Sequence, residues 1–150
     1  MEFKTEIKIS PELLKLGNNL EAGIQAGLMR AAGAVEAAAV ETAPVTTGNL
    51  ANRIRKYFES HRAIVKATAP YSIFVHEGTG IYGPHRTRIV PTTKKALAFQ
   101  IGGKTLIRRS VKGQKANPFM KRGLNKVERR LPDIFGQAIQ EYLAKKRNGE

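Results

Sequence analysis

Phe3, Thr5, Ile7 and Ile9 alternate with Glu2, Lys4, Glu6 and Lys8, the period of two expected of a half-buried strand. Ser10 then offers its hydroxyl as an N-cap, Pro11 suits a first helical turn, and Glu12 complements the positive end of the helix dipole. A long helix is predicted to follow. Leu13, Leu16, Leu20, Ile24, Leu28, Ala31, Val35 and Ala38 recur every three or four residues, forming one apolar stripe to about Thr42, where Pro44 stops it. Its second half is rich in small residues: Ala31, Ala32, Gly33, Ala34, Ala37, Ala38 and Ala39. That composition predicts close packing against a sheet or a neighbouring helix, although alanine's helix propensity alone would also account for it.

Residues 49–55 predict a short helix, and Tyr57, Phe58 and residues 63–69 predict two strands joined near Ser60 and His61. Residues 71–76 read as a short helix with Tyr71, Phe74 and Val75 on one face. Residues 78–93, rich in glycine, proline and basic side chains, predict an exposed loop. Residues 96–101 and 104–111 flank Gly102-Gly103, a dipeptide that suits a tight hairpin. From Asn117 a helical stripe resumes through Leu124, Val127, Leu131, Phe135, Ile139 and Tyr142, and Pro132 should kink or break it. The expected fold class is α+β: a small, mostly antiparallel sheet packed by a long N-terminal helix and by a C-terminal helix broken near Pro132. Residues 1–150 are expected to form a single domain, with exposed loops at about 78–93 and 111–117.

Charge changes this picture. Residues 1–50 hold four Lys/Arg against six Asp/Glu, whereas residues 81–130 hold 14 basic residues against Glu128 alone. Such a field attracts nucleic acid or an acidic protein surface, and a solvated basic face is the plainer alternative. There is no cysteine, which excludes disulfides, iron-sulfur clusters and thiol nucleophiles and fits a reducing cytosol. No signal-peptide pattern and no apolar run of membrane-spanning length is apparent, so secretion and membrane insertion are not expected.

Candidate chemistry is sparse. Gly78, Gly80 and Gly83 satisfy the spacing of a dinucleotide-binding glycine motif, but Pro84 follows at once and no Asp or Glu occurs between residues 84 and 127. No cofactor is expected. His76, Glu77 and His85 lack the further ligands a zinc site needs, and no metal is expected either. Thr46, Thr47 and Thr79 have no histidine and acid at a spacing that would activate a nucleophile; Thr47 is better read as a cap for the segment after Gly48. No residue pattern supports an enzyme.

The positive feature is a set of candidate polyanion contacts: Arg86, Arg88, Lys94, Lys95, Lys104, Arg108, Arg109, Lys112 and Lys115. Lys104, Arg108 and Lys112 would share one face of a hairpin. Tyr82 is the only aromatic between Phe74 and Phe99, which argues against a base-stacking platform, and groove-reading motifs are absent. Non-specific electrostatic contact is what remains.

Three blocks, APVTTGNL (residues 43–50), YSIFVHEGTG (71–80) and GQKANPFM (113–120), occur in this order. Together they resemble the small tail-component and neck proteins that tailed bacteriophages encode between head and tail genes, over roughly residues 13–143. The resemblance implies a structural assembly protein of a phage or prophage, a ring-forming neck or tail-completion component joining tail to head. The alternative is a small basic, non-specific nucleic-acid-binding protein. Its partners would be copies of itself, head-completion or adaptor proteins, and tail tube or tail terminator proteins, with non-specific contact to DNA in the channel. Its place would be the virion, and the host cytoplasm during assembly.

By the same resemblance, Pro44, Thr47, Gly48 and Leu50 form the first turn. Tyr71, Phe74 and Val75 anchor the central segment beside Glu77, Gly78 and Thr79 make the turn after it, and Pro118 and Phe119, following Gly113, lock the last helix onto the sheet. The chain departs from the pattern where His76 precedes Glu77 and where Pro132 interrupts the last helix. An acidic N-terminal part and a basic middle would steer head-to-tail association, with the loops at 78–93 and 111–117 ordering on partners.

Overall fold

A computed structural model describes residues 3–9, 11, 20–46 and 48–149. The expected caps at Ser10 and Thr47, Glu12, and the stripe positions Leu13 and Leu16 lie outside the described residues. In chain order the elements are β1 (Phe3–Lys8), α1 (Glu21–Thr42), β2 (Ile54–Glu59), β3 (Arg62–Ala67), α2 (Ser72–Glu77), β4 (Leu97–Ile101), β5 (Lys104–Arg108), α3 (Phe119–Val127) and α4 (Leu131–Arg147). The fold is α+β, with small antiparallel sheets beside a long N-terminal and a C-terminal helix. The chain divides into two compact units, residues 1–70 with 119–150, and residues 71–118.

In the first unit the strand order is β1, β3, β2, antiparallel throughout. The register sets Thr5, Val65 and Lys56 in one row, and Lys56 Nζ reaches Glu36 of α1 at 2.7 Å. That row and its same-face neighbours, Ala63 and Ala67, therefore look toward α1. All three β3 residues are fully buried, as are Ala31, Ala32 and Val35 of the helix. The stripe read from the sequence, Ile24, Leu28, Ala31, Val35 and Ala38, is the buried face of α1. Pro44 follows the end of α1 as expected, with Ala43 already extended.

The small-residue half of α1 is a close-packing surface. A Cβ on Gly123 of α3 would stand 2.7 Å from the Ala39 backbone, so the two helix backbones touch without side chains between them. Further back, α4 crosses α1 with the Phe135 and Tyr142 rings set against Gly27 and Gly23. Phe119, completely buried, opens α3, and its carbonyl accepts a 2.7 Å hydrogen bond from Thr42 Oγ1 at the end of α1.

Phe119 locks α3, which reaches both α1 and β1 of the sheet, and α4 packs chiefly on α1, where its apolar stripe fits the glycine notches. One expectation changes here. The helix expected at 49–55 is one 3-10 turn, Ala51–Arg53; Ile54, fully buried, pairs with Ala67 and draws Arg55 into β2. At Pro132 the helix breaks as predicted. A 3-10 turn, Glu128–Arg130, separates α3 from α4, and the proline falls in the first turn of α4 where its missing N–H costs nothing.

Described carboxylates of the acidic N-terminal segment meet basic side chains from elsewhere in their own unit. Glu6 pairs with Arg62 at 2.8 Å, Glu36 with Lys56, Glu41 with Lys126 at 2.8 Å, and Glu21 faces His61 at 3.9 Å. Three of the carboxylates expected to steer a neighbouring subunit are thus paired within their own unit.

Candidate functional site

The second unit, residues 71–118, carries the central block and most of the third. After Pro70, α2 runs for six residues and buries Ser72, Val75 and His76. Tyr71 and Phe74 do not anchor it: Tyr71 is 38% exposed and Phe74 57%, since the buried face is set by positions 72, 75 and 76 at helical spacing. Of the three expected anchors only Val75 is inside. Glu77 is exposed, and Gly78 ends the helix with φ of +81°.

From Gly78 the chain turns and pairs with the segment before Pro118. The Thr79 N–H donates to the Gln114 carbonyl at 2.9 Å, and the Gln114 N–H donates back to Thr79 Oγ1 at 2.8 Å. Ile81 N–H donates to the Lys112 carbonyl, Asn117 N–H to the Val75 carbonyl, and Ile89 and Val111 exchange both backbone bonds. At the centre Gly80 and Gly113 cross. A Cβ on Gly80 would sit 2.1 Å from the Lys112 oxygen, and one on Gly113 2.2 Å from the Thr79 oxygen, so only glycine fits at either place. The two loops expected to order on partners are instead ordered by each other.

The hairpin is where the Gly102-Gly103 pair predicts it. Both glycines have positive φ, +56° and +75°, which the tight turn between β4 and β5 demands. β5 ends at Arg108, earlier than expected. Lys104 and Arg108 share a face by alternation, but Lys112 has left the hairpin and belongs to the segment bonded to Ile81.

All nine candidate polyanion contacts fall in this unit, and all nine are exposed: Arg86, Arg88, Lys94, Lys95, Lys104, Arg108, Arg109, Lys112 and Lys115. Glu77 is the unit's only carboxylate. None of the nine is paired with it; Arg88 donates to Ser110 Oγ at 3.0 Å and Lys115 stands 5.9 Å from the Tyr82 ring centre. Nine exposed cations against one carboxylate leave this unit strongly positive.

Pro44, Gly48 and Leu50, the first block, belong to the other unit, where Leu50 is buried and the Gly48 carbonyl accepts from Asn52 N–H. Phe119 closes the third block there. The Gly80–Gly113 crossing was missed in the sequence, although both glycines lie in or beside the blocks singled out. Among the described residues no group of three or more His, Asp or Glu is placed to hold a metal ion, and no helix is long and apolar enough to cross a membrane. Comparison with family models, with curated proteins and with solved structures finds no match to this chain.

Proposed function

We propose that this chain is a structural assembly subunit, of the kind that forms rings at the neck or completes the tail of a tailed phage or prophage. The observation that carries the reading is the pairing of two of the three blocks. Residues 75–81 and 111–117 are bound by a ladder of backbone hydrogen bonds and a glycine crossing, a device that fixes shape and offers no reacting group. Beside it, Tyr71 and Phe74 are exposed. Exposed aromatics on a rigid frame suit a protein contact, since such side chains dominate interface energies.

The test is association. Light scattering and electron microscopy of the purified protein should find rings whose population rises with concentration, and Phe74→Ala with Tyr71→Ala should shift it toward monomer while leaving circular dichroism unchanged. A protein that stays monomeric at the highest attainable concentration refutes the reading.

A second reading, contact with a polyanion, is favoured by one observation: the nine exposed cations of residues 71–118 against a single carboxylate. The two readings are compatible, because a connector passes DNA through its bore. Binding to a DNA duplex at 50 mM salt, weakening steeply by 200 mM, is the expected result.

A further inference from the structure

The three-stranded sheet of the first unit has an open edge at β2, whose only strand partner among the described residues is β3. Free strand edges invite another strand. Residues 55–59 are all exposed, the aromatic pair Tyr57 and Phe58 included. One bond fixes which way each backbone group points: Thr68 N–H donates to the Arg53 carbonyl, one step beyond the pair of Ile54 with Ala67. By alternation Arg55, Tyr57 and Glu59 turn their backbone groups toward β3, while Lys56 and Phe58 turn theirs to the open side. Lys56 agrees, since its N–H donates to Glu36 Oε1 of α1 at 3.2 Å. Side chains sort the same way. Lys56 shares the α1 face with Val65, so Arg55, Tyr57 and Glu59 stand together on the opposite face. Arg55 Nη1 donates to the Ile54 carbonyl at 2.9 Å, which lays the guanidinium along the open edge.

We propose that β2 is an interface between two copies of this chain, paired antiparallel about a two-fold axis at Tyr57, so that two three-stranded sheets join into one. The order of charges along β2 carries the inference. Backbone groups on the open side can bond only to their like in the second copy, so the axis must pass through a residue. At Tyr57 it sets Arg55 opposite the second copy's Glu59, and Glu59 opposite the second copy's Arg55. Opposite charges facing each other across a strand pair stabilise it, and like charges destabilise it. An axis at Lys56 sets that lysine against itself, and one at Phe58 sets Arg55 opposite His61. Tyr57 meets its own copy at the position without hydrogen bonds, where Cα atoms stand about 4.5 Å apart and side chains are closest. Glu59 gives Oε2 to Arg62 and offers Oε1 across the interface. Phe58 N–H donates to the second copy's Lys56 carbonyl. In return Lys56 N–H passes from Glu36, which keeps Lys56 Nζ at 2.7 Å, to the second copy's Phe58 carbonyl. Glu36 is therefore a guard on this edge. A polyanion is a poorer occupant, because Glu59 shares the face with Arg55. The contact is isologous and closes at two copies, so it goes beyond the ring reading and does not depend on it.

The experiment is sedimentation velocity of the full chain over a range of concentrations. The wild-type protein should show a dimer. Arg55→Glu and Glu59→Arg should each weaken dimerisation by about tenfold or more, because both cross-pairs then join like charges. Mixed in equal amounts, the two variants carry opposite charges at facing positions, and the dimer should return. Glu36→Ala should tighten dimerisation by leaving Lys56 N–H to the second copy. Unchanged circular dichroism and melting would show that each variant is folded; if Glu59→Arg is not, Arg55→Glu and Glu36→Ala decide the matter. Self-association that neither charge variant alters overturns the strand pairing while sparing the ring reading, and so does a mixture of folded variants that stays monomeric. A wild-type protein that is monomeric at every concentration overturns both. Duplex DNA binding lost in Arg55→Glu with self-association unaltered would assign the edge to a polyanion, and would equally overturn the pairing.

Discussion

Replacing Gly113 with alanine places a methyl group 2.2 Å from the Thr79 carbonyl oxygen, at a residue whose φ is +93°. Holding a non-glycine residue in that conformation costs about 1–3 kcal/mol. Carbon and oxygen settle at about 3.3 Å, so the two segments must part by about 1 Å. Parting them breaks the bonds of Thr79 N–H to Gln114 O and Gln114 N–H to Thr79 Oγ1, and strains that of Ile81 N–H to Lys112 O. At about 1 kcal/mol net for each bond, the total loss is about 3–6 kcal/mol. It falls on residues 71–118, so native-state hydrogen exchange is the assay. Protection of the Thr79, Ile81 and Gln114 amides should fall by about two to four orders of magnitude, at about 1.4 kcal/mol per factor of ten. Gly136→Ala is the matched control: a Cβ there meets nothing within 4 Å in mid-helix, and alanine should stabilise by about 0.5–1 kcal/mol. Wild-type protection at Thr79 and Ile81 in Gly113→Ala would refute the crossing.

Phe119→Ala removes a fully buried ring from the start of α3 and should cost about 3–5 kcal/mol in urea unfolding. Gly123→Val drives a branched side chain into the Ala38 and Ala39 backbone and should destabilise by about 1–3 kcal/mol or more, read as a lowered melting temperature. Hydrogen bonds from Arg62 hold the Glu59 carboxyl below its usual value, and those from Arg30 do the same for Glu141. A depressed carboxyl stabilises the fold above its unfolded value of about 4.3, and that contribution is lost as pH falls through the folded value. Unfolding measured from pH 6 to pH 2 should therefore decline less steeply in Glu59→Gln with Glu141→Gln than in the wild type.

The periodic parts of this fold were legible. Ile24 to Ala38 announced the buried face of α1, the dipeptide Gly102-Gly103 its hairpin, and Pro132 the break between α3 and α4, because side-chain spacing and proline sterics act locally. The candidate site was legible in content but not in form. Its cations and glycines stood out, yet the ladder between residues 75–81 and 111–117 is made mostly of backbone groups, which every residue carries. Tyr71 and Phe74 were read as anchors from the resemblance; which face of a six-residue helix is buried depends on what covers it. The pairing of Glu6, Glu36 and Glu41 was equally hidden, since their cationic partners lie 56, 20 and 85 residues away.

That division of charge makes the two parts of the chain respond to ionic strength in opposite senses. Where carboxylates and cations alternate, added electrolyte removes attraction; where one sign prevails, it removes repulsion, and the more so as the screening length shrinks from about 10 Å at 0.1 M to about 3 Å at 1 M. A concentrated brine should loosen the helical body slightly while relaxing the glycine-crossed portion. Dilute buffer leaves that portion strained by its own like charges until a counter-charge arrives. Preparation conditions thereby select which half of the molecule is at rest.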